Sequence, residues 1–123
     1  MRVSRIALGA GALAGAVLAG APATAHHSFA MFDRDKSVTL TGSVREFQWT
    51  NPHAWVQMLV KDASGKDVEW SIEGASTINL TRQGWSRNSL KPGDRVVIVI
   101  HPLKDGSPGG SLVSATINGV ELR

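Results

Sequence analysis

From Val38 onward the chain alternates apolar and polar residues in short runs, a two-residue period that predicts half-buried β-strands. Val38, Leu40, Gly42 and Val44 face one way, and Thr39, Thr41, Ser43 and Arg45 the other. After Arg45 the apolar phase moves to Phe47 and Trp49, a one-residue slip that requires a bulge if those rings are to stay inside. The first strand is therefore expected to be long and strongly bent, with Gly42 marking a bulge or a close backbone approach. Thr50-Asn51-Pro52 breaks the pattern as a turn, because proline lacks the N–H a ladder needs. His53 to Lys61 resumes it, with Ala54, Val56, Met58 and Val60 on one face and Trp55, Gln57 and Leu59 on the other. The Ser64-Gly65 connection leads into a third strand in which Val68, Trp70 and Ile72 alternate with Glu69, Ser71 and Glu73.

Ser76 to Gln83 is the one helix expected after residue 25, capped by Ser76 and stopped by Gly84, with Trp85 packing it on the sheet. Leu90-Lys91-Pro92-Gly93-Asp94 is a turn. It precedes Val96-Val97-Ile98-Val99-Ile100, whose unbroken β-branching predicts a strand buried on both faces. A loop over 105–110 leads to a last strand, Ser111 to Leu122, kinked at Asn118-Gly119. The order is three strands, a short helix, then two strands. That order predicts an all-β fold, a small five-stranded OB-like barrel with its helix between strands 3 and 4; another small β-barrel or an open sandwich is the alternative. Trp70 is the clearest core ring, while Glu69 and Glu73 read as a solvated outer face.

The first 25 residues follow different rules. Arg2 and Arg5 precede an apolar run from Ile6 to Leu18, and Ala23-Thr24-Ala25 forms a small-x-small exit, the build of a cleavable secretory signal peptide. The apolar stretch is short and thinned by glycines, whereas a spanning helix wants about 20 apolar residues. The expected organisation is a signal peptide over 1–25, an approach segment over 26–37, and the barrel domain over 38–123. The expected location is the periplasm, with no membrane span after cleavage. Removing 25 residues from 123 leaves 98, enough for one small domain.

Charge and composition narrow the function classes. Two of the 13 Lys and Arg residues leave with the signal peptide, so eleven face 10 Asp and Glu, and no basic surplus marks a nucleic-acid partner. The chain has no cysteine, which removes disulfides and thiolate metal sites. There is no Gly-x-Ser-x-Gly elbow, cysteine nucleophile or paired-carboxylate motif. The chain is not expected to be an enzyme, and no catalytic residue is assigned.

Cleavage after Ala25 would make His26 the first residue. An amino-terminal histidine offers a metal its free amine and its imidazole, and His27 adds a second ring. Copper heads the Irving–Williams order for nitrogen sites. His26, His27 and, from the barrel, His53 are the expected metal ligands, with copper the implied ion; His101 is a weaker candidate, and Met31 is a soft donor suited to Cu(I). The alternative function is an OB-like barrel binding a cell-envelope ligand, an oligosaccharide or peptide, through Trp49, Asn51 and Trp55 around the turn, or an interaction module for a partner protein.

His26-His27-Ser28-Phe29-Ala30-Met31-Phe32-Asp33, Thr41-Gly42-Ser43-Val44 and Asn51-Pro52-His53 together resemble an uncharacterised family of small exported bacterial proteins, that of domain of unknown function 6152. The resemblance implies export and one small β-rich domain. It brings no activity with it.

Overall fold

The computed structural model describes residues 29–123. The expected signal peptide and the expected ligands His26 and His27 lie outside the described residues. A single 3-10 turn, Phe29–Met31, precedes six strands and one helix: β1 Val38–Gln48, β2 Trp55–Lys61, β3 Asp67–Glu73, α1 Thr77–Arg82, β4 Arg95–Pro102, β5 Gly109–Ile117 and β6 Val120–Leu122.

Five of the strands close an OB-like barrel. β1 is long enough to serve two neighbours: Val38 to Ser43 pair antiparallel with β4, and Ser43 to Gln48 pair antiparallel with β2. The change of apolar phase after Val44 is absorbed where it must be, by an irregularity between Val44 and Glu46. Gly42 lies where the strand passes close to β2; a Cβ there would run into the Leu59 carbonyl oxygen. β3 closes the barrel by pairing parallel with β5 through Ser71, Ile72 and Glu73 against Gly109, Gly110 and Ser111. The two glycines permit close approach on both sides of β5: a Cβ on Gly109 would stand 2.9 Å from the Ser71 carbonyl oxygen of β3, and one on Gly110 would stand 2.5 Å from the His101 carbonyl oxygen and 2.7 Å from Ile100 Cδ1 of β4.

The core follows the alternation. Val56, Met58, Ile72, Ile98, Ile100 and Ala115 are almost wholly buried, and Leu80 and Trp85 bring the helix onto them. Ser76 caps α1 by accepting from the Asn79 N–H at 3.3 Å. Gly84, with φ of 92°, ends it. Trp85 packs tilted against Phe47 with ring centroids 6.0 Å apart, and its indole N–H donates to the Arg123 carbonyl.

Three expectations are corrected. β4 is not buried on both faces: Val96, Ile98 and Ile100 point inward, but Val97 is 38% exposed. Its β-branching there suits the pleated backbone without any second layer. The last strand does not kink but ends. Asn118 and Gly119 both take positive φ and turn the chain back, so β6 pairs antiparallel on β5 as a sixth strand outside the barrel closure. Trp70 is only half-buried at the margin of the core, because burial along the β2–β3 hairpin falls away toward its tip at Ser64-Gly65. No helix among the described residues is long and apolar enough to cross a membrane.

Candidate functional site

Strand register brings together residues that the sequence keeps apart. Ser111 on β5 is the partner of Glu73 on β3 and of His101 on β4. Ile72 and Ile100, one residue earlier on those strands, are fully buried, so Glu73 and His101 emerge on the outer face on either side of Ser111.

His53 reaches the same place from the turn after β1. Thr50 Oγ1 donates to the His53 carbonyl at 2.8 Å, the Ala54 N–H donates to the Ala75 carbonyl, and the Gly74 N–H donates to the Ala54 carbonyl. These bonds fix the turn against the end of β3. His53 Nδ1 then lies 2.9 Å from the Gly74 carbonyl oxygen, and His101 Nδ1 lies 2.8 Å from that of Lys36. A carbonyl can only accept, so each Nδ1 carries the proton, and each neutral ring keeps its lone pair on Nε2. Metal-binding histidines are commonly oriented in this way.

The segment before β1 covers this face. Phe32 is buried and bridges to Leu103, the Asp33 N–H donates to the Pro102 carbonyl at 2.8 Å, and the Lys104 N–H donates to that of Met31 at 2.9 Å. Asp33 also pairs with Lys36 at 3.1 Å; that ammonium is the main cause holding the Asp33 carboxyl below its ordinary range. Phe29, 58% exposed, meets the His53 ring edge-on at a centroid distance of 6.2 Å. Between this strap, the turn and the outer ends of β3, β4 and β5 lies a pocket of about 630 Å³. Phe29, Phe32 and Leu112 supply apolar wall, and Arg34, His53, Glu73 and His101 the ionisable groups.

Glu73 is the residue that sequence reasoning misplaced. It does stand on the outer face of β3, yet it is 4% exposed, with Oε1 3.6 Å from His53 Nδ1. Alternation gives the face a residue points to; it does not reveal a strap and a turn folded over that face. Arg34 is unmarked by any motif, and Phe29 stands in the His26-to-Asp33 stretch without being given a part in a site.

Of the expected metal ligands, His53 lies in the pocket, joined there by His101. Among the described residues no three His, Cys, Asp or Glu side chains form a group that could hold a metal ion by themselves. The three residues of the expected aromatic site are placed as follows. Trp49, half-buried and T-shaped on Phe47 at 5.7 Å, lines a separate groove of about 330 Å³ with Thr77, Ile78, Thr81 and Arg82. Trp55 does not line that groove; it opens β2 as the partner of Gln48 and Glu73. Asn51 ties the turn to the helix, its Oδ1 accepting from both the N–H and the hydroxyl of Thr77 at 3.0 Å.

A family model described as a family of unknown function, DUF6152, matches residues 14–113. The chain belongs to that family. No curated protein and no solved structure matches it. For this DUF6152 protein the pocket under the strap is thus the feature from which a function has to be argued.

Proposed function

We propose that this DUF6152 protein is a small exported, periplasmic copper-binding protein. In this reading cleavage after Ala25 frees an amino-terminal His26, whose amine and ring bind the ion with the His27 ring, and His53 completes the set from the barrel. The observation that carries the reading is the pairing of Phe29 with His53 at the pocket wall. Phe29 is three residues from His26, and an extended chain spans at most about 3.3–3.6 Å per residue. The amine and both rings therefore have the reach to meet the free Nε2 of His53. A free amine has a reference pKa of about 7.7–8.0 and histidine about 6.5, so protons compete with metal and affinity falls as pH drops through that range.

The test compares Cu(II) affinity of protein beginning at His26 with that of a form carrying one extra residue before it, and with His26→Ala and His53→Ala. Loss of at least about tenfold in each altered form is expected if amine and rings all bind. Equal affinity in the cleaved and extended forms removes the amine from the site. Binding no tighter than that of an unrelated peptide defeats the copper reading.

A second reading is favoured by Ile78, which is 63% exposed beside Trp49. An apolar side chain next to a half-buried indole suits a cell-envelope ligand, an oligosaccharide or peptide, laid across α1.

A further inference from the structure

A carboxylate, a set of rings and an enclosed space meet under the strap. Glu73 lines the pocket while being 4% exposed, and its one ion-pair contact is with His53 Nδ1 at 3.6 Å, on a ring that is charged only when doubly protonated. The Nδ1 proton is directed to the Gly74 carbonyl at 2.9 Å, which leaves the carboxylate able to accept hydrogen bonds from a molecule in the pocket. His53 also joins that carboxylate to aromatic surface. Its ring meets Phe29 at a centroid distance of 6.2 Å, and Phe29 in turn lies 6.5 Å from Phe32 at a tilt of 50°. The Nε2 atoms of His53 and His101 are acceptors on the same wall. The pocket measures about 630 Å³, within the roughly 300–1,000 Å³ of small-molecule sites.

We infer that this pocket binds a small organic ammonium, a protonated primary amine on an apolar body. Glu73 meets the charge, the free ring nitrogens accept the remaining N–H groups, and Phe29 and Phe32 offer ring faces to the cation and its apolar body. The carboxylate decides the sign of the ligand. Where water is displaced, attraction between opposite charges strengthens, an anion is repelled, and a neutral ligand leaves the Glu73 charge desolvated without compensation. The opposing charge on the pocket wall is Arg34, which is exposed and therefore better screened. The inference goes beyond the copper reading and does not rest on it, since every residue it uses lies on the strap or the barrel.

The experiment titrates the protein, kept metal-free with a chelator, with phenethylammonium and with hydrocinnamate, a carboxylate of similar size, following backbone amide NMR shifts. At about pH 7.5 the amine is charged, since an alkylammonium titrates near 10.4. Phenethylammonium should give saturable shifts over 73–76 and 111–113 and at His101, and hydrocinnamate should give none. Glu73→Gln keeps shape and removes charge; it should weaken the amine by about tenfold or more, the loss expected for a charged hydrogen bond. Phe29→Ala, at an exposed position, should weaken it by about two- to fivefold. The inference is overturned by hydrocinnamate binding as tightly as the amine, by amine affinity unchanged in a folded Glu73→Gln, or by no saturable shift with the amine. If Glu73→Gln does not fold, the two ligands on wild type and the Phe29→Ala variant still decide. Copper takes no part in these titrations, so their failure leaves the copper reading standing, and failure of that reading leaves this one standing.

Discussion

His53 and His101 orient their rings by the same device: each directs Nδ1 at a backbone carbonyl, that of Gly74 at 2.9 Å and of Lys36 at 2.8 Å, and each lines the pocket beneath the strap. Neither carbonyl can give a proton back, so at neutral ring charge both histidines must be the Nδ1–H tautomer. Nitrogen-15 NMR of the metal-free protein checks this directly. With both rings neutral, both Nε2 resonances should show the unprotonated form, and Cu(II) should broaden the His53 ring first. A protonated Nε2 on the neutral His53 ring would count against its role as a ligand.

Barrel closure makes a separate prediction at Gly110. A Cβ there would stand 2.5 Å from the His101 carbonyl oxygen and 2.7 Å from Ile100 Cδ1, and the first of these is backbone that cannot swing aside. Overpacking of this kind typically costs about 1–3 kcal/mol. Gly110→Ala should therefore lower the urea midpoint, and the Tm by roughly 4–8 °C per kcal/mol lost. Because Ser111 follows directly, the variant should also loosen the row Glu73–Ser111–His101. An unchanged midpoint would mean that the β4–β5 pairing is less tight there than described.

What the sequence made legible follows from the range of the interactions involved. The first four strands, the β1 bulge, the Ser76 cap and the Gly84 stop are set by residues close to one another in the chain, and they stand where alternation and capping put them; the last strand alone is divided, by the turn at Asn118-Gly119. The pocket is a different matter. It depends on parallel pairing of β3 with β5 and on residues 29–36 lying over that pairing, contacts between distant segments that no local period encodes. Glu73 is the clearest case: its outward direction was readable, its burial was not. Val97 is the converse, a β-branched residue that propensity put inside and geometry left on the surface.

The strap should respond to acid with a defined sign. Lys36 holds the Asp33 carboxyl below its ordinary value, with the Asp35 N–H assisting. A carboxyl lowered on folding contributes stability that is fully present above its unfolded pKa of about 3.9 and is lost as pH falls through the folded value. Wild type should thus exceed Asp33→Ala in Tm at pH 7, and the gap should close progressively below about pH 4. A gap that persists unchanged to pH 2 would show that the carboxyl's charge is not its source.

The turn that carries His53 is tied to α1 by Asn51, which accepts two hydrogen bonds from Thr77. Removing an acceptor of this kind at a helix start costs about 0.5–2 kcal/mol. Asn51→Ala is expected to lower stability by that amount in denaturant unfolding. It should also lower Cu(II) affinity, because His53 loses part of what fixes its approach. Asn51→Asp keeps the acceptor and should retain both properties. If Asn51→Ala destabilises the fold but binds copper normally, His53 is held by its Gly74 bond and the Thr50 bond alone.

The groove at Trp49 carries the last prediction. Trp49 rests edge-on against Phe47, and Ile78 beside it presents an apolar side chain to water. A sugar ring or peptide side chain laid there would cover both and change the environment of an indole that is already half-buried. Titration with envelope oligosaccharides and with peptides, followed by tryptophan fluorescence, should give a saturable shift that Trp49→Phe abolishes and Trp55→Phe leaves in place, since Trp55 does not line the groove. Ile78→Glu should weaken binding by placing a charge where an apolar contact is required, with little effect on folding at so exposed a position. A signal that follows Trp55 instead would move the ligand to the β2 face beside Glu73, and a flat titration across both ligand classes would leave the pocket under the strap as the site to pursue.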